Sequence, residues 1–224
     1  MTRPAEPPRS DAAPAASVED KPVVSRPGVL AVLNASPESF SGNRVATFDG
    51  RIGSDDRAID DAADLAASMV DSGADVLDIG AQSLRTDRPE ISVVEEVDRL
   101  LPVFAAVRGR VPTTALSVDT YRHQVADAAL AAGASIVNDP SGLRDRELAD
   151  LVSGTSHSIV VAFNPGAPKV RRPRGERLVE PVEDCLRFVA DRLERTQIGP
   201  RDLRGLVNDH RSGGQGDQAA SLSQ

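Results

Sequence analysis

From Gly28 onward the chain alternates short, unbroken apolar runs with longer stretches in which apolar residues recur every three or four positions. The unbroken runs are GVLAVLN (28–34), ADVLDIG (74–80), ALSVDT (115–120), ASIVND (134–139), SIVVAFN (158–164) and GLVND (205–209). A run of this length without polar alternation is what a strand buried on both faces requires. Between them, Ile59, Ala62, Ala66 and Met69 share one helical face. Val93, Val97, Leu100 and Phe104 share a second, opened by the capping-box pair Ser92 and Glu95, and Val125, Ala128, Ala129 and Ala132 form a third. Strands alternating with helices imply a parallel sheet with crossover connections. Two helices run through a Gly-Ala pair straight into a strand, as SGADVLDI and AGASIVND, which predicts left-handed C-caps at Gly73 and Gly133. The repeated phrase fits both a β/α-barrel and an open doubly wound sheet.

Residues 1–27 break this regularity. They hold six of the chain's 16 prolines, many alanines and scattered charges, too little apolar surface to offset the entropy of ordering. They are expected to be disordered. The whole chain of 224 residues is 40% hydrophobic and 27% charged, a balance that a folded domain needs and a wholly disordered chain lacks. Its 26 Lys and Arg against 34 Asp and Glu give a net charge of -8, a field that repels nucleic acid but leaves room for a phosphate held locally by an Arg or a helix N-terminus. The lone Cys185, spaced helically with Val182, Phe188, Val189 and Leu193, has no disulfide partner and is expected as an inert core thiol. No apolar run approaches the roughly 18 residues of a membrane span, and the first residues lack a signal peptide's apolar stretch, so the chain reads as cytoplasmic.

Each predicted strand ends on an amide or a carboxylate: Asn34, Asp78, Asp119, Asn138 with Asp139, Asn164, and Asn208 with Asp209. Such residues are common strand-exit caps, but in parallel β/α folds these ends also converge on the ligand site. Repetition at every strand favours a pocket of hydrogen-bonding side chains. Few lysines and three dispersed histidines, at 123, 157 and 210, make a transition-metal centre a poor fit. A flat heterocycle fits better, because a carboxylate accepts two N–H bonds from an amino-pyrimidine edge while Asn both donates and accepts. In the loop 34–42, NASPESFSG, Asn34 offers an oxygen to a hard cation and Phe40 is one of five phenylalanines. In the loop 79–89, IGAQSLRTDRP, Ser83 and Arg85 are candidate anion ligands.

The segment VLNASPESFSG resembles the first signature of the dihydropteroate synthases, and GADVLDIGAQSLR resembles the second. LSVDTYRHQVADAALAAGASIVNDPSG, residues 116–142, is similar to that family's third and fourth strands with the intervening helix. Order and spacing agree from residue 28 to residue 209. The resemblance implies a (β/α)8 TIM barrel, here with about six of the eight βα units of that fold. It implies condensation of 6-hydroxymethyl-7,8-dihydropterin diphosphate with p-aminobenzoate to give dihydropteroate and pyrophosphate, assisted by Mg²⁺, and a homodimer.

By motif match, Asn34 would ligate Mg²⁺, and Asp119, Asn138 and Asp209 would bind the pterin, with Asp119 stabilising cationic character on the ring. Arg85 would be catalytic beside Asp119. Ser83, Leu84 and Arg85 would lie near the diphosphate and the aminobenzoate, and Ser36, Pro37 and Phe40 would belong to a loop folding over the site. The chain departs from the family where Glu38 stands for Asp, Thr86 for Pro, and AFNPGAP for the fifth strand's Met-His. Leu84 stands where the family has a hydroxyl, and deleting such a donor costs roughly 1–2 kcal/mol. After Asp209 the sequence turns polar and glycine-rich, and 210–224 is expected as a disordered tail outside the family's pattern. The expected domain therefore runs over 28–209, without the lysine of the seventh strand and the arginine and histidine of the eighth. A non-catalytic pterin-binding or partner protein is the second reading. A methyltetrahydrofolate-binding methyltransferase domain is a third, disfavoured by the synthase-like SPESFS and SLR loops.

Overall fold

A computed structural model describes residues 28–35, 56–84, 86–164, 166–170, 181–196, 198–199 and 203–207. Six strands form one parallel sheet: β1 (Leu30–Asn34), β2 (Val76–Gly80), β3 (Ala115–Asp119), β4 (Ile136–Asp139), β5 (Ser158–Ala162) and β6 (Leu203–Val207). Five helices alternate with them: α1 (Asp56–Asp71), α2 (Val93–Arg110), α3 (His123–Ala131), α4 (Arg146–Val152) and α5 (Pro181–Thr196). The spatial strand order is β1-β2-β3-β4-β5-β6, the same as the sequence order. A doubly wound sheet reverses direction from its first strand, whereas a β/α-barrel adds each strand beside the last. The order therefore decides for the barrel type.

Register sorts the strand residues onto two faces. Leu33, Ile79, Val118 and Val137 lie side by side across β1 to β4 and are buried, in one cluster with Ala62 and Ala66 of α1, Leu100, Phe104 and Val107 of α2, and Val125 and Ala129 of α3. This is the helix-facing core, and it takes up most of the helical stripes expected from the sequence; on α3 the buried face is rotated, with Ala126 inside and Ala132 exposed. Both predicted glycine caps form. Gly73 and Gly133 have φ of 106° and 101°. Each closes its helix with paired bonds, Ala74 N to Met69 O at 3.0 Å with Gly73 N to Val70 O at 2.9 Å, and Ala134 N to Ala129 O at 2.9 Å with Gly133 N to Leu130 O at 3.0 Å. That is the Schellman arrangement, and it turns the chain directly into the next strand. The capping box forms only in part: Ser92 Oγ accepts from Glu95 N at 3.1 Å, while the Glu95 carboxylate pairs with Arg99.

Two expectations change. Cys185 is half-buried on α5, not in the core, because α5 turns Val182 and Leu186 to solvent, 66% and 60% exposed. The fifth strand stops at Ala162, two residues before Asn164. Asn164 instead shapes the following turn, accepting from Gly166 N at 3.1 Å and donating to Pro140 O at 3.0 Å.

Candidate functional site

The second face of the sheet carries the polar strand ends. Asn34 pairs in register with Gly80, and Asp119 with Asn138, while the Ile79–Val118 pairing puts Gly80 beside Asp119. Register partners in a pleated sheet point to the same side. Asn34, Gly80, Asp119 and Asn138 thus form one row at the C-terminal edge of four adjacent strands. Gly80 belongs there for a steric reason. A Cβ at that position would lie 3.1 Å from Asp119 Cβ and 3.3 Å from both Asp119 O and Asp119 Oδ2. The Asp119 side chain occupies the space that a side chain on β2 would fill.

One layer below, Asp78 and Ser117 are register partners on the same face, 1% and 0% exposed. Asp78 Oδ2 accepts from Asn138 Nδ2 at 2.8 Å, tying the two layers together across β3. Burial pushes the Asp78 carboxyl above its ordinary value, against the opposing influence of Ser117 and Asn138. Ser117 lies near enough to favour the ionised form, yet geometry leaves Asp78 Oδ1 and Ser117 Oγ without a formed hydrogen bond among the described residues.

Asp139, the neighbour of Asn138, points the other way and is fully buried. Its two oxygens accept from Ser141 N at 2.7 Å and Leu143 N at 2.6 Å, holding Gly142 and Leu143 at φ of 73° and 56°. Of the pair Asn138 and Asp139, strand alternation gives the first to the site and the second to the turn.

The loop after β2 is anchored by a network that the sequence reading did not anticipate. Arg122, just before α3, donates to Glu96 Oε2 at 2.7 Å and to Ile91 O at 2.9 Å, and it also pairs with Glu90. Thr120 Oγ1 donates to Glu96 Oε1 at 2.9 Å, and Tyr121 OH donates to Glu90 at 2.7 Å. Gln82 joins both ends of its own loop, accepting from Ile91 N at 2.9 Å and donating to Tyr121 OH at 2.6 Å. Lys169 adds bonds to Arg88 O and Pro89 O, each 3.1 Å. Burial raises the Glu96 carboxyl above its ordinary range, while burial and the Glu90 contact push Tyr121 up to about 12. The sequence signal for this network was a glutamate on the inward face of α2, at a position where an apolar residue is the norm.

Gln82, Leu84, Asp119, Thr120, Tyr121 and Pro140 line a small recess with Glu96. Leu84 is half-buried there, an apolar side chain beside Asp119. The structure therefore gathers Asn34, Asp119 and Asn138 into one row and places Ser83 and Leu84 on the adjoining loop. Ser36, Pro37, Phe40, Arg85 and Asp209 lie outside the described residues, as do 1–27 and 210–224.

One other cluster of metal-binding residue types occurs among the described residues, His123, Asp145 and Glu147. Its geometry is that of a cap. Asp145 Oδ1 accepts from Glu147 N at the start of α4, and Oδ2 accepts from His123 N and approaches His123 Nδ1 at 2.9 Å. Two helix N-termini already turn their positive ends to this carboxylate, which disfavours a cation. Among the described residues no helix is long and apolar enough to cross a membrane.

Residues 30–217 match the family model described as pterin binding enzyme. A probable bifunctional folylpolyglutamate synthase/dihydropteroate synthase of Haloferax volcanii is 34% identical over 187 residues, 83% of this chain and 21% of the relative. A solved dihydropteroate synthase of Xanthomonas albilineans with 4-aminobenzoic acid superposes with a TM-score of 0.66 at 29% identity, covering 81% of this chain and 61% of that one. The dihydropteroate synthase of Burkholderia cenocepacia complexed with 7,8-dihydropteroate gives 0.65 at 30% identity, covering 81% and 58%. The chain spans about a fifth of the Haloferax relative and about three fifths of the two solved enzymes.

Proposed function

Since the chain belongs to the pterin-binding enzyme family, we propose that it acts in folate biosynthesis as a dihydropteroate synthase, joining 6-hydroxymethyl-7,8-dihydropterin diphosphate to p-aminobenzoate. The observation that carries the reading is the row Asn34, Gly80, Asp119 and Asn138, a set of hydrogen-bonding groups on one sheet face, at the strand ends where β/α-barrels hold their ligands. Relatives bound to 4-aminobenzoic acid and to 7,8-dihydropteroate support the choice of substrates.

In this reading Asp119 and Asn138, with Asp209, bind the pterin ring, a flat heterocycle rich in N–H donors. The Asp119 carboxylate opposes positive charge on the ring as the bond between the methylene carbon and the diphosphate oxygen breaks. The aminobenzoate nitrogen then bonds to that carbon and loses a proton, and pyrophosphate leaves. Binding both partners in reach of each other supplies much of the rate, because it removes the entropy of encounter. Ser83, Leu84 and Arg85 border the diphosphate and the aminobenzoate, with Ser36, Pro37 and Phe40 on the covering loop. Asn34 suits Mg²⁺ as a hard oxygen donor at the row's edge, exposed to an incoming diphosphate. Bound Mg²⁺ supplies charge neutralisation to the leaving diphosphate. A domain over 28–209, a homodimer and a cytoplasmic setting complete the proposal.

Leu84 favours a second reading, pterin binding without turnover, since an apolar side chain borders the recess next to Asp119. A condensation assay with both substrates and Mg²⁺, run beside calorimetry with 6-hydroxymethylpterin, separates the two. Dihydropteroate formation that disappears in Asp119→Ala supports the synthase. Pterin binding alone supports the second reading, and absence of both overturns the proposal.

A further inference from the structure

The layer beneath the row holds a group without an assigned role. Asp78 is 1% exposed, faces no cation among the contacts that its carboxyl makes, and keeps one oxygen without a hydrogen bond among the described residues. A buried carboxyl in that condition is costly, and replacing it with an apolar side chain would relieve the cost. Its one formed bond reaches upward, to the carboxamide of Asn138. Asn138 stands in the row beside Asp119, where a ligand would meet it.

A carboxamide has a donating end and an accepting end of nearly the same shape, and its surroundings decide which way it turns. A carboxylate only accepts. Beside ionised Asp78, the Asn138 amide presents its NH₂ end downward, as the 2.8 Å bond from Asn138 Nδ2 to Asp78 Oδ2 has it, since the reverse orientation would set the carbonyl oxygen against a carboxylate oxygen. A neutral partner such as Asn or Ser at position 78 would tolerate both orientations, because each can donate as well as accept. Ser117 does not compete for the amide, as its hydroxyl makes no bond to it.

We propose that Asp78 is a positioning residue that locks the Asn138 carboxamide with its carbonyl oxygen free for the ligand, and so selects a heterocycle presenting an N–H donor at that point. The selection rests on the pterin-binding reading of the row; the lock itself does not. A charge-assisted hydrogen bond is also stronger than a neutral one, which keeps the amide from rotating between ligands.

The test uses the full chain and two independent readouts. In ligand-free wild-type protein, nitrogen-15 NMR of the Asn138 side chain should show one Hδ2 shifted downfield and slow to exchange with solvent, and the other ordinary. This needs no variant. Two freely exchanging protons would overturn the lock whether or not any pterin binds. In Asp78→Asn, which keeps the shape of the side chain, the downfield shift should be lost. Calorimetry then compares 6-hydroxymethylpterin with the matching lumazine, in which a 2-oxo acceptor replaces the 2-amino donor. The wild-type preference for the pterin should shrink about tenfold in Asp78→Asn, the size of one misdirected hydrogen bond. Uniformly weaker binding with the preference intact overturns the selection. A protected Hδ2 in a protein that binds neither compound supports the lock and removes the pterin reading.

Discussion

Replacing Arg122 with Met removes the guanidinium from a carboxylate that has nowhere to go. The Glu96 side chain is 2% exposed and that of Arg122 12%, and their contact is 2.7 Å. Breaking a buried pair from one side costs about 3–5 kcal/mol, because the remaining charge is left uncompensated. Glu96 can escape part of this by taking up a proton. From an ordinary value of 4.5, neutralising it at pH 7 costs about 3.4 kcal/mol and at pH 5 only about 0.7. The loss of stability in Arg122→Met is therefore capped near 3 kcal/mol at pH 7 and should fall to about 1 kcal/mol at pH 5. The sign follows from burial, which already holds Glu96 above its ordinary value in the folded protein. A carboxyl raised by folding favours the folded state most at low pH, and that contribution is lost as pH climbs from 4.5 through the folded value. The exposed partner Glu90 adds no more than about 1 kcal/mol. Urea unfolding of the wild type, Arg122→Met, Glu96→Gln and the double variant at pH 5 and pH 7 measures the cycle. Glu96→Gln should restore about 2 kcal/mol to Arg122→Met at pH 7. A penalty below about 1 kcal/mol at pH 7, or one that is the same at both pH values, would show that the pair is not the anchor described.

Two glycines give further tests. Gly80→Ala forces a Cβ to 3.1 Å from Asp119 Cβ, so Asp119 must yield by a few tenths of an ångström; pterin affinity measured by calorimetry should fall about tenfold, with a loss of stability of about 1–2 kcal/mol. Gly142→Ala sets a Cβ 2.5 Å from Phe188 Cζ and 2.8 Å from Ala162 O at a φ of 73°, which should cost about 2–4 kcal/mol in urea unfolding. Adding Phe188→Ala should recover only part of that, since the backbone oxygen remains in place.

Much of the fold was legible because the signals are local. The apolar runs marked six strands within about two residues of their ends, and the Gly-Ala pairs at Gly73 and Gly133 marked two helix ends to the residue. A left-handed C-cap is a property of a few consecutive residues, so sequence can state it. The strand-end polar residues were equally visible, but their roles were not. Asn138 and Asp139 are adjacent, and alternation across the sheet sends one to the site and the other into a turn. Asn164 looked like the end of the fifth strand, yet it lies beyond that strand and serves the backbone.

The family, its barrel-type fold and the positions Asn34, Asp119 and Asn138 could be read from the linear order of residues, because motifs carry backbone geometry and chemistry within a few positions of each other. The alternation of strands and helices could not by itself choose a barrel over a doubly wound sheet, since both share it and differ only in which strands lie side by side; the motifs pointed to the barrel, and the strand order decides for it. The bond from Asn138 to Asp78, 60 residues apart, and that from Arg122 to Glu96, 26 apart, likewise belong to the folded chain alone. Burial and register bring such groups together, and both arise from packing helices against a sheet rather than from any neighbouring pair in the sequence.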